Sequence, residues 1–382
     1  MDEEIRPFQI DIADTGVADL RERLRRTRWP DRETVSDWSQ GTPLAYLREL
    51  CRYWLEDYDW PAAHARLNHF PQFLTTIDGL DIHFLHVRSA HVYATPLLLT
   101  HGWPGSVVEF GKVIGPLTDP VAHGGDATDA FHVVCPSLPG FGFSGKPDAP
   151  GWGTERIAAA WDQLMHRLGY HRYGAQGGDW GALVTMNLGQ RHADSLAGIH
   201  LNMVPTMPTP GAGKAGDGLT ERERSALDAF AVHRKNGTGY ARQQSTHPQS
   251  VGYGLVDSPA GLAGWIVEKF HTWSDNDGDP ATVVGPDDLL DNLMMYWLPG
   301  TGASAARIYW ESFGRLSQAP VTVPAGCSIF PKEIYRPSRR WAEPFFPDLR
   351  YWNELDAGGH FAAFEQPRTF VSEVTAAFRT FR

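Results

Sequence analysis

Gly177-Gly178-Asp179-Trp180-Gly181 constrains this chain more than any other stretch. A strand-like run, His171 to Ala175, leads into it, and a helical pattern, Trp180 to Arg191, leads out. Small residues around a central polar one permit a sharp strand-to-helix turn, which lifts the central side chain above the C-terminal edge of a sheet. The spacing is that of a nucleophile elbow, with Asp where Ser usually stands. Taken alone, the same residues also suit a Gly-rich turn whose Asp caps a helix.

The order of the other elements supports the first reading. Phe73 to Ile77 and Leu80 to Leu85 read as two strands around the turn dipeptide Asp78-Gly79. Strand-like runs follow at Thr95 to Thr100, Phe131 to Cys135 and Leu196 to Met203, with a helical pattern at Thr154 to Leu168. Strands alternating with helices predict an α/β fold, with a mostly parallel sheet covered by helices on both faces. From residue 205 the alternation stops, and helical segments such as Ala260 to Trp273 and Asp288 to Trp297 take over. Strand-helix order returns with Val321 to Phe330, Arg350 to Leu355 and Pro367 to Phe381. The expected layout has four parts. Residues 1–92 form a helical N-terminal region leading into the first strands; 93–204 and 319–382 form the two parts of the α/β body; 205–318 form a helical cap. In the N-terminal region, Asp14 is expected to cap a helix carrying Val17, Leu20 and Leu24, and a second helix runs from Pro43 to Trp54.

Three more loops fall in the chain order that an elbow-centred site needs. His101-Gly102-Trp103-Pro104 follows an early strand, so the backbone N–H groups of Trp103 and Trp180 are candidates for an oxyanion hole. Gly358-Gly359-His360-Phe361 follows the last strand, where a general-base histidine belongs. Between nucleophile and histidine, Glu333 in Phe330-Pro331-Lys332-Glu333 fits an orienting acid, with Asp348 and Asp356 as competitors. Asp at the elbow changes the chemistry. A carboxylate is already ionised near neutral pH and can displace a leaving group at an sp³ carbon, giving an ester on the enzyme that water then cleaves. Epoxides and alkyl halides suit such attack. An epoxide also needs a proton donor for its ring oxygen, and cap tyrosines are the natural source.

Other patterns carry no chemistry. Gly140-Phe141-Gly142-Phe143-Ser144-Gly145 matches a dinucleotide fingerprint, but Pro147 and Pro150 prevent the helix that would hold a pyrophosphate. Gly213-Lys214 lacks the Ser or Thr of a phosphate loop. Asp275, Asp277 and Asp279 begin like a calcium loop, which Pro280 and Pro286 would spoil. His83 and His86 point to opposite faces of a strand, so no shared metal is expected. The net charge of −11 is spread along the chain, whereas a nucleic-acid binder needs a concentrated basic face. No apolar run is long enough for a membrane span. The acidic start, Met-Asp-Glu-Glu, is unlike a secretory signal, and Cys51, Cys135 and Cys327 read as reduced residues, so a cytoplasmic location is expected.

At this point a resemblance becomes visible. Leu20-Arg21-Glu22-Arg23-Leu24, Arg28-Trp29-Pro30-Asp31 and Leu67 to Phe73 resemble the N-terminal domain of the microsomal-type epoxide hydrolases, which have an α/β-hydrolase fold. His101 to Ser106, Pro136 to Ser144 and Gly358 to Pro367 are also similar to that family, so the resemblance covers nearly the whole chain. It implies Asp179 as nucleophile, His360 as base and Glu333 as orienting acid. It further implies Tyr240, in Gly239-Tyr240-Ala241-Arg242, and Tyr309, in Arg307-Ile308-Tyr309-Trp310, as the ring-opening pair, with Tyr253 and Tyr296 as alternatives. The membrane anchor of the animal enzymes is missing from the pattern. The expected partner is a small-molecule epoxide, without cofactor or metal, and a homodimer is left open. Rival readings are a haloalkane dehalogenase using the same Asp, and a non-enzymatic binder of small molecules on a hydrolase fold.

Overall fold

The computed structural model describes residues 4–206, 218–315, 317 and 319–382. Gly213-Lys214 lies outside them. The frame is a sheet of β1 (Arg6–Phe8), β2 (Gln72–Ile77), β3 (Leu80–Val87), β4 (Thr95–Thr100), β5 (Phe131–Pro136), β6 (Tyr173–Gly177), β7 (Leu196–Leu201), β8 (Ala325–Ile329) and β9 (Leu349–Glu354). Their order across the sheet is β1-β2-β3-β5-β4-β6-β7-β8-β9. The first three pairings are antiparallel, and every pairing from β5 onward is parallel. The early reversal is local chemistry: Asp78 and Gly79 take φ of 51° and 80° and close a two-residue hairpin. Parallel pairing needs long crossovers, and helices supply them.

The N-terminal region holds α1 (Asp14–Arg25), α2 (Leu44–Glu56) and α3 (Trp60–Leu67). Leu20 and Leu24 are buried and Val17 packs beside them. The cap of α1 is Ala13 rather than Asp14. Asp14 sits in the first turn, where its carboxylate favours the positive end of the helix dipole. The region is not only helical, because β1 extends the sheet edge by pairing with β2. Three residues are too few to show a period in sequence.

Helices α4 (Gly111–Thr118), α5 (Thr154–Arg167) and α6 (Asp179–Arg191) belong to the body. Between β7 and β8 the described chain contains α7 (Glu221–Asn236), α8 (Gly239–Thr246), α9 (Pro248–Asp257), α10 (Pro259–Trp273), α11 (Pro286–Trp297) and α12 (Gly302–Ser312). After them come α13 (Arg339–Ala342), α14 (Ala362–Glu365) and α15 (Pro367–Arg379). Along β6, Gly174 faces Phe378 of α15, while Gly177 faces Thr185 of α6. Residues three apart on a strand point to opposite faces, so α15 and α6 cover the two sides of the sheet.

The N-terminal helices and the loops between them bond to the α7–α12 layer. Arg66 Nε donates to Asp291 at 2.6 Å, and the Tyr58 hydroxyl donates to the same carboxylate. Arg23 donates to the Asp257 carboxylate at 2.9 Å and Thr42 to the Gly264 carbonyl at 2.9 Å. Trp38 stacks on His271 with ring centroids 4.0 Å apart. Among the described residues no helix is long and apolar enough to cross a membrane.

Candidate active site

β6 ends at Gly177 and α6 begins at Asp179. Asp179 has φ 47°, a left-handed conformation rare outside glycine. Such strain costs of order 1–3 kcal/mol and persists only where the surroundings over-determine it. Here they do. A Cβ at Gly181 would stand 1.9 Å from the Thr100 carbonyl oxygen, so glycine alone lets α6 start this close to β4. The elbow thereby holds the Asp179 carboxylate above the carboxyl ends of the central strands.

Both carboxylate oxygens have partners. The Trp103 N–H donates to Asp179 Oδ1 at 2.8 Å. Asp179 Oδ2 lies 3.4 Å from His360 Nε2. On the far side of the ring, His360 Nδ1 bonds Glu333 Oε1 at 2.7 Å, and that oxygen also accepts the Ile334 N–H at 2.7 Å. Trp180 occupies the second position of α6, where a backbone N–H has no partner inside its own helix. The competing acids are elsewhere: Asp348 binds Arg350 at 2.8 Å, and Asp356 is exposed.

Burial disfavours a charged His360. The Glu333 and Asp179 carboxylates outweigh it and hold the imidazole well above its usual range. The two acids flanking the ring thus favour its charged form over its neutral one.

The histidine loop is braced by residues that the sequence did not flag for this purpose. The His360 N–H donates to the Trp273 carbonyl at 2.8 Å. Asp275 Oδ2 accepts the Gly358 N–H at 2.8 Å. Glu365 accepts the N–H groups of Asp275 at 2.6 Å and Phe361 at 2.9 Å. Asp275, first of the three spaced aspartates, is thus a loop brace.

Tyr240 on α8 and Tyr309 on α12 meet above the elbow, with ring centroids 5.6 Å apart. Trp103 stacks on Tyr240 at 5.1 Å, and Trp180 meets Tyr309 edge-on at 4.7 Å. Trp273 closes the group, 5.2 Å from Tyr240 and 5.1 Å from His360. Burial pushes both phenols far above their ordinary range, with the Asp179 charge next for Tyr240 and the Tyr240 phenol and then Asp179 next for Tyr309, so both stay protonated near neutral pH. The Tyr309 hydroxyl is buried with no partner in hydrogen-bonding geometry, although Tyr240 and Trp180 lie close enough to act on its titration. The two alternative tyrosines are placed otherwise. Tyr253 is 69% exposed, and the Tyr296 hydroxyl donates to the Gly105 carbonyl at 2.7 Å.

A cavity of about 420 Å³ opens onto Asp179, Tyr240 and Tyr309, with Leu183, Phe230 and Tyr335 among its apolar walls. Among the described residues no cluster of His, Cys, Asp or Glu could hold a metal. His83 instead bonds Ser137 at 2.9 Å and Gln72 at 2.8 Å, and all three cysteines are free and buried. The arrangement combines an ionised carboxylate, protonated phenols across an apolar space, and an imidazole beside the carboxylate. It can alkylate the carboxylate, protonate a leaving oxygen and then deliver water.

Comparison with known proteins points the same way. Residues 5–110 match the family model described as epoxide hydrolase N terminus, and residues 95–367 match the alpha/beta hydrolase fold. A Stigmatella aurantiaca protein with a provisional epoxide hydrolase name is 54% identical, over 99% of this chain and 86% of its own length. Epoxide hydrolase 1 of Oryctolagus cuniculus is 38% identical, over 98% of this chain and 88% of its own. Among solved structures, the juvenile hormone epoxide hydrolase of the silkworm Bombyx mori superposes with a TM-score of 0.92 at 33% identity, covering 100% of this chain and 95% of that one. The Aspergillus niger epoxide hydrolase superposes with a TM-score of 0.90 at 32% identity, covering 100% and 98%.

Proposed function

The chain belongs to the epoxide hydrolase family, and from that premise we propose that Asp179, His360 and Glu333 convert an epoxide and water to a vicinal diol through an ester on the enzyme. The observation that carries this reading is the placement of Asp179. Its carboxylate sits between the Trp103 N–H and His360, at 2.8 and 3.4 Å, below two buried phenols.

Asp179 attacks an epoxide carbon, and the C–O bond of the ring breaks. The ring oxygen takes a proton from Tyr240 or Tyr309. Alkylation consumes the Asp179 charge that held His360 protonated. The imidazole then sheds its proton, which restores the phenol. Neutral His360 next takes a proton from water, whose oxygen bonds to Cγ of Asp179. The N–H groups of Trp103 and Trp180 receive the oxyanion. Collapse breaks the Cγ–O bond to the substrate, and the second proton of the attacking water, carried on the Asp179 carboxyl, passes to the leaving oxygen to give the diol. Glu333 holds the imidazole and balances its charge in both steps. The cycle ends as it began, with imidazolium and carboxylate.

A single turnover in ¹⁸O-water tests the ester. The label is expected in the peptide containing Asp179. Label that enters the diol directly, bypassing this peptide, overturns the covalent route. The tyrosines are tested together: Tyr240→Phe with Tyr309→Phe should slow ring opening by about 10²-fold or more while the fold remains. Unchanged ring opening would reassign the donors. A dehalogenase needs no phenol pair, and halide release from short haloalkanes without diol from epoxides would favour that reading. We also place the enzyme in the cytoplasm, where three free buried thiols are stable.

A further inference from the structure

A second carboxyl group, Glu109, stands half-buried beside the first. Glu109 follows the His101–Ser106 loop, and its neighbours Val107 and Phe110 are buried. Two glycines of the loop make room for the two carboxyl groups. A Cβ at Gly102 would lie 2.2 Å from Asp179 Oδ1, and one at Gly105 would lie 1.3 Å from Glu109 Oε1. A small cavity of about 20 Å³ has Glu109, Asp179 and His360 on its wall. That is room for the centre of a single water molecule. The same wall includes Gln176, whose Oε1 atom is buried without a hydrogen-bond partner. A buried polar atom left unpaired beside a space of this size marks a water site.

We propose that Glu109 is the positioning residue for the hydrolytic water, which sits in this cavity bonded to the Glu109 carboxyl and to His360 Nε2, facing Cγ of Asp179. One water proton passes to His360. The other stays on the oxygen and is donated to the carbonyl oxygen of the Glu109 carboxyl, which fixes the direction of the lone pair that attacks. Glu109 gains and loses no proton in the step. Burial pushes its carboxyl up to about 8; His360 opposes the shift and Asp179 adds to it. A neutral carboxyl next to Asp179 avoids setting two negative charges against each other in the resting site. Burial also raises the neighbouring phenol of Tyr296, whose hydroxyl stays protonated and bonded to the Gly105 carbonyl.

The inference rests on the ester route proposed above, and its test separates the two. Alkylation and ester hydrolysis are measured by rapid mixing and quench, with an epoxide that the native enzyme turns over, chosen from a panel headed by styrene oxide. Glu109→Leu keeps the bulk and removes the acceptor. Alkylation should stay within about threefold, ester hydrolysis should slow by about 10- to 100-fold, and the ester should accumulate at steady state. Glu109→Gln keeps a carbonyl acceptor and should restore hydrolysis to within about threefold of native. Equal losses in both steps overturn the proposal, as does unchanged hydrolysis or a Glu109→Gln defect as large as that of Glu109→Leu. If Glu109→Leu does not fold, the native protein decides. A high-resolution crystal structure should show a water bonded to both Glu109 and His360, and a dry cavity overturns the assignment. Failure to detect any ester in the native enzyme counts against the covalent route itself and leaves the Glu109 comparison without a step to act on, so the two failures are distinct.

Discussion

With His360 replaced by glutamine, the enzyme is expected to take up one equivalent of epoxide and stop. Ring opening relies on the Asp179 carboxylate and the two phenols, which the substitution leaves in place. Ester cleavage needs a base beside Cγ, and His360 Nε2, 3.4 Å from Asp179 Oδ2, is the group that can supply it. Loss of a positioned general base costs 10²–10⁴ in rate, and residues that act as a unit reach the upper end. Steady-state turnover of His360→Gln should therefore fall by about 10³-fold or more. Intact protein should gain the mass of the epoxide, with the gain confined to the peptide containing Asp179. Turnover lost without any adduct would place His360 in ring opening instead.

Asp179→Asn should be silent at the earlier step. A neutral amide does not displace the ring oxygen, so no adduct forms and turnover falls by about 10⁴-fold or more. A second readout concerns the neighbouring ring. Glu333 and Asp179 together keep His360 charged against burial. With one carboxylate gone, burial gains weight and the His360 imidazole should titrate lower than in the native protein, as followed by its ring NMR signals. An unchanged titration would mean that Glu333 alone sets the charge. Activity that returns on storage, together with conversion of the introduced amide to the acid in the peptide, would mark deamidation and supports the assignment.

The elbow was legible because its backbone excludes most residues. Gly181 cannot carry a side chain against the Thr100 carbonyl, so the pattern around Asp179 is a direct imprint of the turn. The hairpin at Asp78-Gly79 is legible for the same reason. Strand limits are less so. The run expected at His171 to Ala175 is observed at Tyr173–Gly177, because its last residues are chosen for the turn rather than for apolar pattern. β1 carries no period in three residues. The roles of Asp275 and Glu365 arise only when the histidine loop and the end of α10 meet, and acids with such distant partners look like surface residues in a sequence. Glu109 is hidden in a different way: nothing local distinguishes an acid that faces a cavity from one that faces solvent.

The bonds that α1, α3 and the loop before α3 make to the helices above the site have a further consequence. Arg66 and Tyr58 fasten Asp291, and Arg23 fastens Asp257, while from the body Ser304 is tied to the Gly140 carbonyl at 2.6 Å. A roof pinned on two sides does not swing open as a hinged door. If the roof keeps its position during turnover, substrates are expected to be sieved by girth at the threshold before any bond is tested. Widening that portal would broaden the range of compounds admitted without altering the chemistry at its far end.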